Sequence, residues 1–490
     1  MIARIFDRSQ APWGLKYRTS NWFIVLTVSC AVFTDIFLYG VIVPVIPFAL
    51  QERANVGEDR VQYWVSVLLA VYGVGLVVFS PICGWFSDRI SARRWPLLLG
   101  LIALLGATVM LNVATSIPVF IVGRLLQGIS AAVVWVVGLA LLADTVPRKS
   151  LGQYIGYVSL GMTLGFMLGP LLGGVLFKKA GYNGVWALCY AFIGLDFVFR
   201  IVLIEKKDAK KWDIAAAGGS DSHGDGQTER SPEAEAEEEI YDQPAVQTDP
   251  SQTQTRLQKL TSRLPPVITL LASRRLLAAL FASITQASLI ASFDSVLPLF
   301  VNETFGWESL QSGILYLTIV IPTLASPLVG YFSDRYGGRL FSFAGFLLAC
   351  PIFVLLRLVD HNSLSQKVLL VALLVLIGCA LTLCFPPIMA EITHVVIAKE
   401  ESSRKSTGRV TTLAKGGAYA QAYALFNVAF ALGTLVGPLW GGLIKQRYGW
   451  NTMSWTLGLL SGVTAVPCLI WVDGSLRRTD RGVFSRRYQS

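Results

Sequence analysis

The chain has 490 residues, 53% hydrophobic and only 15% charged, with 41 lysines and arginines against 31 aspartates and glutamates, a net charge of +10. An ordinary soluble domain carries about 25% charge, so the composition excludes a soluble cytosolic enzyme and a disordered chain. What remains is a polytopic membrane protein, in which the position of the basic residues matters more than their excess.

Twelve stretches reach the ~20 apolar residues that a spanning helix needs. The first six lie at 22–49, 64–84, 96–115, 117–142, 151–176 and 185–204. The second six lie at 276–301, 311–331, 340–359, 367–389, 419–444 and 452–472. The connections are shortest at 115–117 and 446–451. The first 21 residues are polar and basic (Arg4, Arg8, Lys16, Arg18). The apolar run behind them is too long for a leader peptide and reads as a retained span.

Twelve spans put both termini on one side. The termini and even-numbered connections hold 31 of the 41 basic residues. The other side holds Arg53, Arg60, Lys178, Lys179, Arg357, Lys367, Lys445 and Arg447, while Arg124 and Arg200 fall inside spans. The positive-inside rule therefore places both termini in the cytoplasm. The expected organisation is a cytoplasmic N-terminus over 1–21, a six-helix bundle over 22–205, a cytoplasmic loop over 206–270, a second bundle over 271–473 and a cytoplasmic C-terminus over 474–490. The middle loop is rich in Glu, Asp, Ser, Gln and Pro, cannot bury enough apolar surface to fold alone, and reads as a disordered tether. Ser220, Ser222 and Ser231 are phosphorylation candidates within it. The seven cysteines all fall in or beside apolar spans with no ligand-type pair. With three scattered histidines they point to no metal and no cofactor.

Two motifs recur in the same order in both halves. SPICGWFSDR at 80–89 and SPLVGYFSDR at 326–335 share seven of ten residues at an offset of 246. GFMLGPLLGG at 165–174 and GTLVGPLWGG at 433–442 share G-x3-G-P-x2-G-G. The first pair ends a second helix and the second lies in a fifth helix, so the chain reads as a duplicated six-helix unit, a construction found in secondary transporters.

With these motifs in view, the sequence resembles the major facilitator superfamily across essentially all spans, and within it the twelve-helix drug:proton antiporters and the vesicular-amine-transporter-like branch. Gly84-x3-Asp88-Arg89-x3-Arg93-Arg94 resembles the loop 2–3 signature, and Gly330-x3-Asp334-Arg335-x3-Arg339 its second copy. Leu38-Tyr39-Gly40-x3-Pro44-x2-Pro47 is similar to the first-helix pattern of exporters, and Arg124-x2-Gln127-Gly128 to the fourth-helix signature. Gly161-x3-Gly165-x3-Gly169-Pro170-x2-Gly173-Gly174 resembles the fifth-helix antiporter motif, echoed by Gly433, Gly437 and Pro438. The resemblance implies an all-α fold of two six-helix bundles related by a pseudo-two-fold axis. It also implies a loop 2–3 latch, Asp88 against the arginines, that favours the outward-open state. A basic topological anchor is the plainer reading of those residues. Glycines at every fourth position lie on one helix face and let two backbones approach, for packing and for gating.

Charges inside spans are the sharpest signal, because an ionisable group at that depth is costly and by default marks a pathway, a relay or a counter-ion. Asp35 lies near the middle of the first run. A carboxyl group there can exchange a proton or neutralise a cationic substrate, and competition between the two is the minimal chemistry of antiport. A structural ion pair with Arg124 is the alternative. By resemblance Arg124 assists proton coupling. Asp294 lies nearer the outer end of the seventh helix, just before Pro298, at the interface or in the pathway. Glu391, towards the inner end of the tenth helix, is a second pathway carboxylate or a boundary residue. Asp196 and Arg200, four apart, form a structural pair. The amine-transporter branch carries an acidic residue in the eleventh helix where this chain has Asn427, which weakens a monoamine assignment. Tyr39, Gln127, Trp135, Tyr316, Tyr423 and Asn427 are candidates to line the cavity, with Tyr157 and Trp440 as further aromatics. Asn302-Glu303-Thr304 is a glycosylation sequon on the non-cytoplasmic side.

The reading is a secondary active transporter, not an enzyme: a proton-coupled antiporter exporting small amphipathic or cationic compounds by alternating access. Its partners are the lipid bilayer, a small-molecule substrate and protons, with no nucleic acid, and it acts as a monomer. The expected location is the plasma membrane, with vacuolar or vesicle membrane as the alternative. The rival readings are a nutrient or polyamine importer of the same fold and a non-transporting membrane sensor or receptor.

Overall fold

The structure, a computed structural model, describes residues 14–89, 92–146, 151–206, 209, 271–407 and 417–473. The predicted 206–270 tether, with Ser220, Ser222 and Ser231, lies outside the described residues apart from positions 206 and 209. Every regular element among the described residues is helical.

Ten helices are long and apolar enough to cross a membrane. Two of them turn back on themselves, which yields the twelve spans predicted. The reversals sit at Gly181 (φ 69, ψ −171) and Gly449 (φ 84, ψ 172). Each pairs a positive φ with an extended ψ, a conformation that only glycine adopts without strain. The chain can thus reverse with no loop, which is why the sequence shows so little linker near 446–451.

The spans are α1 (Asn21–Ile42, continued as Ile46–Ala54), α2 (Glu58–Arg89), α3 (Arg94–Val113) and α4 (Ile117–Thr145). Next come α5 (151–180) and α6 (182–202), the two arms of Leu151–Val202. In the second half are α7 (Arg274–Phe305), α8 (Ser309–Val320 and Ser326–Tyr336), α9 (Gly338–Leu355), α10 (Leu364–Thr407), and α11 (417–448) with α12 (450–471) from Gly417–Trp471. The start of α1 is fixed by Ser20, whose hydroxyl accepts the Phe23 N–H at 3.2 Å. Its break at residues 43–45 follows from Pro44 and Pro47, which cannot donate to a helix ladder.

One feature of the repeat is not symmetric. Residues 80–89 end an unbroken α2, whereas α8 is interrupted by a 3₁₀ turn at Ile321–Ala325 before its copy of the motif. Pro322 lies at the start of that turn and Pro327 at the start of the helix after it.

Within the first half α1 packs on α5, and within the second α7 packs on α11. The glycine faces explain both. A Cβ on Gly165, Gly169 or Gly173 would stand 2.5–3.0 Å from the carbonyl oxygens of Phe33, Phe37 and Val41 on α1. A Cβ on Gly433 or Gly437 would stand 2.5 Å from those of Ile284 and Ser288 on α7. With no hydrophobic drive between helices in lipid, such backbone-to-backbone contact is what holds them together. Across the boundary between halves α2 packs on α11 and α5 on α8. Outward faces carry exposed apolar side chains, such as Leu99, Ile102 and Val109 on α3 and Leu459, Val463 and Val466 on α12, as contact with lipid requires.

Candidate functional site

Residues that the sequence scatters over four helices meet at the centre of the molecule. Asp35 on α1 is fully buried, and the Tyr72 hydroxyl of α2 donates to its Oδ2 over a long 3.5 Å. Its Oδ1 has no hydrogen-bond partner of good geometry among the described residues. One turn along α1, Tyr39 stacks at a tilt on Tyr72, with ring centroids 4.8 Å apart. The Tyr39 hydroxyl donates at 3.0 Å to Asp294 on α7, in the other half. The Arg124 guanidinium of α4 lies over both rings, 5.3 Å from Tyr39 and 5.4 Å from Tyr72, within cation–π range.

Arg124 does not form the ion pair with Asp35 that was one reading of the sequence. Its Nε donates to the Leu68 carbonyl at 3.2 Å and its Nη1 to Gln127 Oε1 at 2.8 Å. The guanidinium rests over the two tyrosine rings and makes no ion pair with either carboxylate among the described residues. The result is a buried series of Asp35, Tyr72, Tyr39 and Asp294 with one guanidinium at its side. Asp294, which the sequence left open to an interfacial position, is only 6% exposed.

A cavity of about 630 Å³ begins at this cluster. Its walls come from α1, α5, α7, α8, α10 and α11. It runs from Tyr39, Asp294 and Tyr316 to Gly156 on α5, Asp334 on α8 and His394 on α10. Those last residues lie at the end of the bundle where α1 begins and α12 ends, called here the terminal face. A smaller chamber beside it is lined by Trp135, Tyr72 and Asn427.

At the opposite face the halves are closed on each other. Gln62 Nε2 donates to the Ser295 carbonyl at 2.9 Å, and the Ser66 and Ser295 hydroxyls are 2.8 Å apart. Lys178 pairs with Glu308 at 2.9 Å, and Gln446 donates to the Asp59 carbonyl at 3.0 Å. The last glycine of each motif completes the seal. A Cβ on Gly174 would meet the Ser309 carbonyl oxygen at 2.2 Å, and one on Gly442 the Ser66 hydroxyl at 1.7 Å. The cavity is therefore open on one side only.

The other predicted residues fall as follows. Gln127 is buried and holds Arg124. Tyr316 lines the cavity but turns its hydroxyl to the Phe293 carbonyl at 3.1 Å. Asn427 donates to Ser80 at 3.0 Å and so links α11 to α2. Tyr423's side chain lies outside the described residues. Trp440 is 39% exposed and donates to Thr456, and Tyr157 stacks on Trp22, so neither aromatic lines the cavity. Glu391 does not join the central cluster. It is buried and held by two Arg275 nitrogens, Nε at 2.7 Å and Nη2 at 3.1 Å, tying α10 to the start of α7. The expected Asp196–Arg200 pair is present, with contacts of 3.0 and 2.6 Å.

The side chains of Asp88 and Arg89 lie outside the described residues. Arg93 reaches Asp144 at 3.2 Å, and Arg94 donates to the Arg200 and Ile201 carbonyls at the end of α6. In the second copy Arg339 donates to the Val472 and Asp473 carbonyls after α12. Arg94 thus caps the last carbonyls of α6 and Arg339 the carbonyls just past α12, each at a helix C-terminus, a favourable place for a cation. Gly84 and Gly330 are loosely surrounded, and Asp334 and Arg335 are exposed. Asn302, of the sequon, sits in the last turn of α7 and donates to the Trp307 carbonyl at 3.0 Å.

Sequence reasoning missed Tyr72, Gln62, Ser66 and Ser295. A tyrosine in a span carries no mark that separates it from packing aromatics. The Gln62-x3-Ser66 spacing and the serine-rich face of α7 were the available signals for the rest.

The profile described as the Major Facilitator Superfamily matches residues 28–418. The chain is 30% identical over 481 residues to the MFS-type transporter ppzB of Metarhizium rileyi (strain RCEF 4871), covering 95% of this chain and 97% of that protein. It is 23% identical over 447 residues to the multidrug resistance protein MdtG of Escherichia fergusonii, over 90% of this chain and 91% of the relative. Among solved structures, the human organic anion transporter MFSD10 (TETRAN) matches with a TM-score of 0.57 at 17% identity, over 91% of this chain and 99% of that one. At that identity the likeness is one of fold.

Proposed function

The chain belongs to the major facilitator superfamily, and from that premise we propose that it is a proton-coupled antiporter exporting small amphipathic cations by alternating access. It is a multi-pass membrane protein and a secondary transporter, not an enzyme. The reading of mechanism is carried by one observation: two buried carboxylates and one guanidinium lie along a single run of contacts across the boundary between the halves, and one of those carboxylates, Asp294, is at the floor of a one-sided cavity.

The charge count supplies the coupling. With both carboxylates ionised, Arg124 offsets one negative charge and leaves one. At bilayer depth that residual charge is expensive, and a proton or a substrate cation relieves it. Proton and substrate then exclude each other at the same cluster, and each stabilises a different arrangement of the halves. Asp35, sealed from the cavity, suits the proton. The apolar and aromatic walls suit an amphipathic partner. The resistance protein MdtG, similar over nine-tenths of the chain, supports export over import.

The positive-inside bias supports a cytoplasmic terminal face, and hence a cavity open to the cytoplasm in this conformation. The plasma membrane is the proposed location. The loop 2–3 arginines, which here close within each half, are proposed to exchange partners when the cavity opens to the other side.

Proteoliposomes with an imposed pH gradient and a fluorescent lipophilic cation, ethidium, test the reading. Wild type is expected to move ethidium against proton flow, and Asp35→Asn to lose the response to the gradient. Ethidium movement that ignores the pH gradient in wild type, or survives unchanged in Asp35→Asn, defeats the proton-coupled reading.

A further inference from the structure

Two carboxylates flank the centre, yet only one is offered to a ligand. Asp35 is fully buried and lines neither the large cavity nor the chamber beside it. Asp294 lines the large cavity, and it already accepts a hydrogen bond from the other half, the 3.0 Å contact from Tyr39. We propose that Asp294 anchors the cationic group of the substrate, and that the cation displaces the Tyr39 hydroxyl, so that loading the cavity releases a bond holding the two halves together.

The surroundings support a cation at Asp294. Among the described residues the cavity is lined by two carboxylates, Asp294 deep within it and Asp334 at its mouth, by His394 at the mouth, and by no lysine or arginine. Arg124 stands behind the Tyr39 and Tyr72 rings rather than in the cavity wall. The Tyr316 hydroxyl, the other phenol of this cavity, is committed to the Phe293 carbonyl. Phe293, Phe385 and Phe430 supply aromatic faces in the same space, and such faces attract cations.

The displacement follows from what the two partners offer. A phenol gives Asp294 one neutral donor, whereas a cation gives it a full opposite charge in a site poor in water, the stronger contact of the two. Tyr39 is on α1 and Asp294 on α7, so this bond is the deepest of those that close the opposite face. The Ser66–Ser295, Gln62–Ser295 and Lys178–Glu308 contacts lie above it. A ligand shifts a conformational balance only by binding one state better than another. Here the differential is concrete, because the state with the Tyr39–Asp294 bond intact is the one in which the cation must break it. A cation entering from the terminal face thereby weakens the wall it must pass. The inference rests on the transport reading above and is independent of its proton coupling.

Binding of tetraphenylphosphonium to the purified full-length protein in nanodiscs tests it, with tetraphenylborate as the anionic control. Tyr39→Phe frees Asp294 and is expected to tighten phosphonium binding by about tenfold. Asp294→Asn is expected to lose saturable binding, and Asp360→Asn, which removes an exposed carboxylate on the opposite face, to bind as wild type does. Spin labels at Arg60→Cys and Arg447→Cys, beside the Gln446–Asp59 contact, report separation of that face. Phosphonium, but not tetraphenylborate, is expected to lengthen this distance with Tyr39 and Asp294 intact, so the measurement survives a Tyr39 variant that fails to fold. Unchanged or weaker binding to folded Tyr39→Phe, wild-type affinity in Asp294→Asn, or no saturable binding to wild type overturns the inference. If this binding pattern holds while no cation moves against an imposed pH gradient, the anchor stands and antiport falls.

Discussion

The sharpest structural prediction concerns Gly174→Ala. A Cβ built there lies 2.2 Å from the Ser309 carbonyl oxygen, and ordinary contact begins near 3.4 Å. The two backbones must therefore part by about 1.2 Å, and no side chain can rotate away to absorb the difference. Overpacking of this kind costs ~1–3 kcal/mol. Gly174 and Ser309 belong to different halves and touch in the closed arrangement of the opposite face, so the penalty falls on that arrangement alone. At ~1.4 kcal/mol per factor of ten, its population relative to a parted state should drop by roughly fivefold to more than a hundredfold. Gly194→Ala is the matched control, because a Cβ there meets nothing within 4 Å while gaining the same helix propensity of ~1 kcal/mol. The assay is the distance distribution between spin labels at Arg60→Cys and Arg447→Cys. Gly174→Ala should populate longer distances and Gly194→Ala should not. A Gly174→Ala protein with the wild-type distribution, or a Gly194→Ala protein that shifts equally, would refute the assignment of this glycine to the seal.

The remaining predictions test neighbouring contacts. Gly442→Ala should shift the same distances, and Ser66→Gly should reverse part of that shift, because the nearest obstructing atom there is the Ser66 hydroxyl at 1.7 Å, followed by its Cβ and the Ser295 hydroxyl, both at 2.8 Å. Arg275→Met leaves the buried Glu391 carboxylate unpaired and should lower thermal stability in detergent by up to ~3–5 kcal/mol, discounted because Arg275 is partly exposed. The double variant Arg275→Met with Glu391→Gln should recover most of that loss; a double variant no more stable than the single one refutes the pairing argument. Lys178→Ala breaks a pair whose side chains are 43% and 59% exposed. It should change the label distances by no more than the effect of ~1 kcal/mol, and that effect should shrink as salt is raised.

Most of the scaffold was legible from patterning, because a membrane span is a composition signal and a duplicated motif is a spacing signal. The sequence could not show that α5 and α6, or α11 and α12, join at a single glycine, since the cue is a backbone angle at Gly181 and Gly449. Nor could it show that α8 breaks where α2 does not. At the site, Asp35, Arg124 and Asp294 stood out by their charge, and Tyr39 and Gln127 by their motifs. Tyr72 did not. Whether Arg124 pairs with Asp35 or rests over two tyrosine rings depends on the relative rotation of α1, α2 and α4, and no one-dimensional pattern encodes that. Glu391 was equally conspicuous, but its partner Arg275 sits at the start of another helix, 116 residues away in sequence.

The contacts also show what the duplication carries and what it does not. Gly165, Gly169 and Gly173 meet Phe33, Phe37 and Val41, while Gly433, Gly437 and Gly441 meet Ile284, Ser288 and Ser292. The partners on α1 and α7 are thus related by a constant offset of 251. By that register Asp35 corresponds to Gln286, which is polar and lines the cavity but is uncharged, and Asp294 corresponds to Val43. The backbone packing is therefore repeated while the charge is not. Asp35, Tyr72, Arg124 and Gln127 all belong to the first half, and Asp294 is the single acidic contribution of the second to the central cluster. If each half carried its own copy of the cluster, a cation would meet equivalent anchors on both sides of the boundary and would bias neither arrangement. With one carboxylate reaching across to one tyrosine, closure of the opposite face depends on whether Asp294 is occupied. A symmetric scaffold can then move in two directions, while the asymmetric charge decides which movement a bound cation favours.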